Sequence, residues 1–159
     1  MLISDRLEEL GIILPQPPRI PPGVILPFGW VRVHGQRAWV SGHGPTEADG
    51  SFAQPLGRVG NEVNLDEAYL AARLTGLAIL SSLQRELGTL DRITAWGRVF
   101  GMVNCAPGFR EMPSVINGFS DLILEVFGQS RGQHARSAVG VAELPFDIPV
   151  EIEAEVLID

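Results

Sequence analysis

The sequence has a single cysteine, Cys105. No internal disulfide can form, which fits a reducing compartment and makes a cytoplasmic location the default expectation. It also lacks a basic stripe: 12 basic residues against 19 acidic ones leave a net charge of −7. Nucleic acid is therefore not an expected partner, because a phosphate backbone is met by clustered positive charge. No apolar run approaches the ~20 residues that cross a bilayer. The first ten residues, Met1 to Leu10, have neither the basic nor the apolar region of a secretion signal. No membrane partner is expected. A glycine-rich phosphate loop, an internal repeat and a low-complexity tract are also missing. The three histidines and one cysteine match no zinc spacing, so no metal and no cofactor are expected.

What is present suits one globular domain over residues 1–159. The chain is 45% hydrophobic, with a mean hydropathy of +0.17, which suits a globular protein that buries more surface than a monomer does. Ser4 to Leu10 reads as a short helix, capped by Ser4 and ended by Gly11. Residues 15–27 carry six prolines and read as an extended arm. Phe28–His34 and Arg37–His43 form a hairpin around the two-residue turn Gly35-Gln36. Residues 44–62 are loop-like, with a turn at Asp49-Gly50 and room for a short edge strand.

Asn64 to Leu87 is the clearest helix. Asn64 and Glu67 can form a capping box, Leu70, Leu74, Leu77, Leu80, Leu83 and Leu87 recur at helical spacing, and Gly88 is a natural stop. Ile93 to Val103 alternates as a strand. Pro113 to Phe127 is a second helix, with Val115, Phe119, Leu122 and Val126 as its apolar stripe and Gly128 as its end. Two last strands lie within His134 to Asp159. In the second, Val150, Ile152, Ala154, Val156 and Ile158 alternate with Glu151, Glu153, Glu155 and Leu157.

Strict alternation assigns faces. Val31, Val33, Ala38 and Val40 share one face with Ile93, Ala95, Gly97, Val99 and Gly101. Trp30, Arg32, Trp39, Ser41 and His43 fall on the other, with Trp96, Arg98, Phe100 and Met102. Two helices can cover only one face of such a sheet. The second face is too aromatic for water and too charged for a core, so it reads as a subunit interface with a polar cleft. If the two last strands pair, Arg136 shares that face with three glutamates. A guanidinium beside a carboxylate can bind a small acid and activate a water. It can equally be a surface or interface ion pair.

Trp39-Val40-Ser41-Gly42, Val115-Ile116-Asn117-Gly118, Arg136, Leu144-Pro145 and Val150-Glu151-Ile152-Glu153 together resemble the YjgF family, also called reactive intermediate deaminases or endoribonuclease L-PSP. The resemblance runs from about Phe28 to the end, and the Pro-rich start is similar to the family's divergent branch. It implies an α+β fold: a chorismate-mutase-like mixed sheet, two long helices on one face, and three subunits closing into a trimeric barrel with clefts between them. It implies hydrolysis of small 2-imino acids to 2-keto acids and ammonia, with a non-catalytic trimeric small-carboxylate binder as the alternative and an endoribonuclease as a third reading that the acidic charge disfavours. Arg136 would grip the carboxylate and Glu151 would activate water. Ser41, Gly42, Asn117 and Phe28 would line the cleft. His43 is a further ligand-binding candidate beside Ser41 and Gly42. Two departures stand out. Ala138 replaces a cysteine frequent two residues after the arginine, and Phe28 lacks the hydroxyl of a common tyrosine.

Overall fold

Five strands make one mixed sheet, and its order explains where the chemistry falls. A computed structural model describes residues 1–159. Its elements are α1 (Ile3–Glu9), β1 (Val31–His34), β2 (Arg37–His43), α2 (Leu65–Leu87), β3 (Ile93–Asn104), α3 (Met112–Gly132), β4 (Ala135–Val141) and β5 (Val150–Ile158). The strand order is β1-β2-β5-β3-β4. Only β3 and β4 run parallel. A parallel pair needs a crossover, and α3 supplies it. The α+β expectation, with α2 and α3 on one face, holds.

The pairing of the last two strands does not hold. β3 lies between β4 and β5, bonded to both. Alternation gives a strand's faces and says nothing about its neighbours.

The hairpin forms as expected, with His34 opposite Arg37 and Gly35 at φ 58°. Two expected faces need correction, both because of bulges. The β2–β5 register shifts between Val40 and His43, so His43 turns inward and is 2% exposed. The β3–β5 register shifts twice, at Ile93/Ala95 and Trp96/Arg98. Trp96 therefore points into the core, edge-on to Phe119 and Phe127 at 5.7 and 5.6 Å. A bulge adds one residue and reverses every face beyond it.

Both long helices start and stop for local reasons. Asn64 accepts from the Glu67 N–H at 2.9 Å, Glu67 closes the box, and Gly88 ends α2 at φ 81°. The buried side of α2 differs from the leucine stripe. Ala68, Ala71, Ala72, Thr75, Gly76 and Ile79 face inward beside Leu80, Leu83 and Leu87, whereas Leu70 is 56% exposed. The small residues let α3 approach. A Cβ on Gly118 of α3 would stand 2.0 Å from the Tyr69 carbonyl oxygen of α2. The α3 stripe of Val115, Phe119, Leu122 and Val126 is buried as expected, but the helix continues past a kink at Gly128 to Gly132.

α1 begins at Ile3 rather than after a Ser4 cap. Its first N–H is satisfied from afar, by Asp91 Oδ1 at 2.8 Å. The Pro-rich arm is fastened to the loop after β2. Gln16 N donates to Ala48 O and Arg19 N to Gly50 O, at 2.9 and 3.0 Å, and Ser81 Oγ of α2 donates to Pro15 O. The expected turn at Asp49-Gly50 is there to receive it, with Gly50 at φ 86°.

Candidate functional site

Two clusters hold the candidate residues, and they lie on opposite faces of the sheet. Arg136 pairs with Val99 of β3. Val99 is fully buried beneath the helices, so Arg136 leaves the sheet on the helix side. Glu151 pairs with Met102, three residues further along β3 with no register shift between. An odd offset puts it on the uncovered face. Arg136 and Glu151 of one chain therefore do not meet.

The first cluster is built by α3 and β4. Arg136 Nη1 donates to Asn117 Oδ1 at 2.9 Å and Ser120 Oγ at 3.1 Å, and Nη2 donates to Pro113 O at 3.4 Å. Asn117 and Ser120 stand three apart on α3, hence on one helical face. Five hydrogens are available on a guanidinium. Three contacts are made here, and Nε–H has no protein acceptor, which leaves the guanidinium with donor capacity for a carboxylate. The guanidinium borders an open polar cavity of about 370 Å³, lined also by Asn117, Ser120, Asp121, Gln133 and His134. Ser120 and His134 were not among the residues expected. The available signals were the three-residue spacing from Asn117 and the two-residue spacing from His134 to Arg136.

The second cluster joins β2, β5 and the end of the arm. Ser41 donates through Oγ to Gly29 O at 2.7 Å and through N to Trp30 O at 2.9 Å. Glu151 lies over Gly42: a Cβ there would stand 2.6 Å from Glu151 Oε2. Only glycine admits the carboxylate this close to the backbone. Burial raises the Glu151 pKa above the usual carboxylate range, and Glu153 adds to it. No arginine offsets either effect, so Glu151 is not the salt-bridge partner of Arg136 within the chain. Phe28 is half exposed, with its ring 5.8 Å from that of Trp30. The uncovered face continues as a shallow cavity of about 190 Å³ lined by Trp39, Arg98, Phe100, Glu153 and Glu155.

His43 sits beneath this cluster rather than in it. Its Nδ1 is 2.6 Å from Ser41 O, its Nε2 is 2.8 Å from Ser82 Oγ, and its ring is 4.9 Å from Trp30. Burial lowers its pKa from the ordinary 6.5 to about 4. Between those values the unfolded chain holds the proton and the folded chain does not, so stability falls as pH falls. The loss should approach about 3 kcal/mol at the acid end of the window. Urea unfolding at neutral pH and near pH 4 checks this: a His43→Gln variant should show a distinctly smaller difference between the two conditions than wild type.

With this geometry in view, the likenesses to known proteins are informative. The YjgF/chorismate mutase-like family, whose description carries a provisional endoribonuclease label, matches residues 28–149. Protein TCP17 of Trypanosoma cruzi is 38% identical over 154 residues, covering 96% of this chain and 91% of its own. The crystal structure of a protein of unknown function from Agrobacterium tumefaciens is 39% identical, with a TM-score of 0.86 over 99% of this chain and 92% of its own. A Shewanella oneidensis structure, provisionally named an endoribonuclease, is 25% identical, with a TM-score of 0.88 over 99% of this chain and 100% of its own. No helix is long and apolar enough to cross a membrane. The match over residues 28–149, together with the relatives that span nearly all of the chain, establishes that this protein belongs to the YjgF/chorismate mutase-like family.

Proposed function

We propose that the protein is a homotrimer that hydrolyses small 2-imino acids to 2-keto acids and ammonia in clefts between subunits. The observation that carries this reading is the separation of two complementary half-sites. Arg136 keeps uncommitted donor capacity on the helix side of β4, its Nε–H having no protein acceptor. Glu151, raised in pKa and unpaired, waits on the uncovered face beside Gly42. β4 is an edge strand of the sheet, and packing that edge onto the next chain's uncovered face would bring Arg136 to that chain's Glu151, Ser41 and Phe28. A cyclic arrangement closes all such contacts with one kind of interface.

The chemistry asks little of the protein. An imine carbon is already electrophilic, and Arg136 would fix the adjacent carboxylate. Glu151 takes a proton from water as the oxygen adds to the imine carbon. The carboxyl passes that proton to the imine nitrogen, giving the carbinolamine; it then takes the hydroxyl proton as the carbonyl forms and delivers it to the departing nitrogen, so that ammonia leaves. A carboxylate with a raised pKa suits that exchange near neutrality. The chain contains no lysine, so no side-chain amine competes by forming a Schiff base with the keto acid product.

Ala138 favours a second reading, a trimeric carrier of small carboxylates without turnover, because it stands where family members often have a cysteine. One assay separates the two. 2-Iminobutyrate generated in situ is trapped with semicarbazide, and wild-type protein should compete with the trap. Arg136→Lys keeps the charge but loses the planar fork, and should abolish competition and weaken 2-ketobutyrate binding at least about tenfold. Binding that depends on Arg136 without competition would leave the carrier. A monomer by light scattering at micromolar concentration would sink the inter-subunit cleft in either form. RNA cleavage is not expected, given the net charge of −7.

A further inference from the structure

Ser120 and His134 stand in the Arg136 cavity, and the reaction above uses neither. His134 Nδ1 lies 2.7 Å from Gly132 O. A carbonyl only accepts, so Nδ1 carries the hydrogen, and Nε2 of the neutral ring is a lone pair. Ser120 Oγ, 2.9 Å from Nε2, therefore donates its one hydrogen to it. The same oxygen then accepts from Arg136 Nη1 at 3.1 Å. A single orientation of the hydroxyl satisfies all three groups. With Asn117 it fixes the guanidinium at the wall of the cavity.

We propose that Ser120 and His134 are positioning residues of the carboxylate site, holding Arg136 in place and tightening its grip on an anion when the imidazole takes up a proton. This rests on the reading of Arg136 as the carboxylate ligand. The second part follows from counting hydrogens. A protonated ring donates from Nε2 to Ser120 Oγ. The oxygen has two lone pairs, one for His134 and one for Arg136, and its own hydrogen must turn away from both. Ser120 lines the cavity, and the proposal is that the hydrogen turns into it. The anion site gains an O–H donor and a nearby positive charge together, and both changes favour a carboxylate.

The charged surroundings of His134 are few. Arg136 projects from β4 beside it, and Asp121 of α3 lines the same cavity, held by the Tyr69 hydroxyl of α2 at 2.7 Å. The ring also meets Phe119, uncharged, at 6.1 Å. Burial holds the ring below the usual histidine range, the Gly132 bond opposes this, and Arg136 lowers it further. The ring is thus neutral at neutral pH and titrates on the acid side.

Calorimetric titration of 2-ketobutyrate between about pH 5 and pH 8 tests the coupling. A Glu151→Gln background removes that carboxylate's own titration. Affinity should rise on the order of fivefold toward acid. His134→Gln and Ser120→Ala should flatten the profile, and Ser120→Thr should retain it. A purely structural role predicts variants that are weaker at every pH with the slope kept, and that result would overturn the proposal. So would imidazole ¹⁵N shifts placing the His134 hydrogen on Nε2 at neutral pH, a measurement that needs no ligand. Arg136-dependent binding with no pH slope in the Glu151→Gln background removes the coupling alone. Binding indifferent to Arg136, or none at any pH, removes the carboxylate site and the coupling with it.

Discussion

Glu151→Gln should lower imine turnover by about two to four orders of magnitude while changing 2-keto acid affinity only a few-fold. The amide keeps the shape of the carboxylate over Gly42, so packing beside the strand is preserved. What disappears is the proton acceptor for the attacking water. Because the carboxylate makes no ion pair with Arg136 in the chain, its loss should not loosen the guanidinium, whose acceptors are Asn117, Ser120 and Pro113. The wild-type rate should also rise with pH through a titration above the usual carboxylate range, since burial and Glu153 both raise the Glu151 pKa. That limb should vanish in Glu151→Gln. Single-turnover rates and keto acid titrations on the same preparations measure both halves. Equal losses in affinity and rate would instead make Glu151 a binding or interface group.

Gly118→Ala should cost about 3 kcal/mol or more, because the added methyl has nowhere to go. Its position is 2.0 Å from the Tyr69 carbonyl oxygen and 3.3 Å from Ala72 Cβ. The first neighbour is α2 backbone and cannot rotate away, so α2 and α3 must separate. That would open the packing around Phe119 and Leu122, both fully buried. Urea denaturation measures the cost directly. Ser114→Ala, at an exposed site in the first turn of α3, should stay within about 0.5 kcal/mol of wild type. A similarly small effect at Gly118 would mean that the helices tolerate a wider crossing.

Local signals in the sequence carried most of the elements. The Asn64–Glu67 box, Gly88, Gly35-Gln36 and the alternation of β5 each depend on neighbours in the chain, and each is found in the structure. Three features were invisible to that logic. A bulge leaves no periodic trace, so His43 and Trp96 were assigned to the wrong face. Strand order is a tertiary choice, so nothing local showed that β3 lies between β4 and β5. The leucine stripe of α2 misled at Leu70 because helix–helix approach is set by the smallest residues, Gly76 and Gly118, rather than the largest. The candidate site was legible as residue types: Arg136, Glu151, Ser41, Gly42 and Asn117 do fall into two compact clusters. Their division between opposite faces was not legible, because it follows from the insertion of β3.

That division has a genetic consequence. If each cleft takes its arginine from one chain and its glutamate from the next, a chain lacking Arg136 and a chain lacking Glu151 are defective in different halves of the same unit. Either variant alone assembles only dead clefts. Co-expressed from two differently tagged copies and allowed to mix at random, they should regenerate about a quarter of the wild-type clefts, since each cleft draws independently on two neighbours. An Arg136→Ala and Glu151→Gln pair should therefore complement in mixed assemblies. The double variant, with both lesions in one chain, should poison every cleft that its copies border when mixed with wild type.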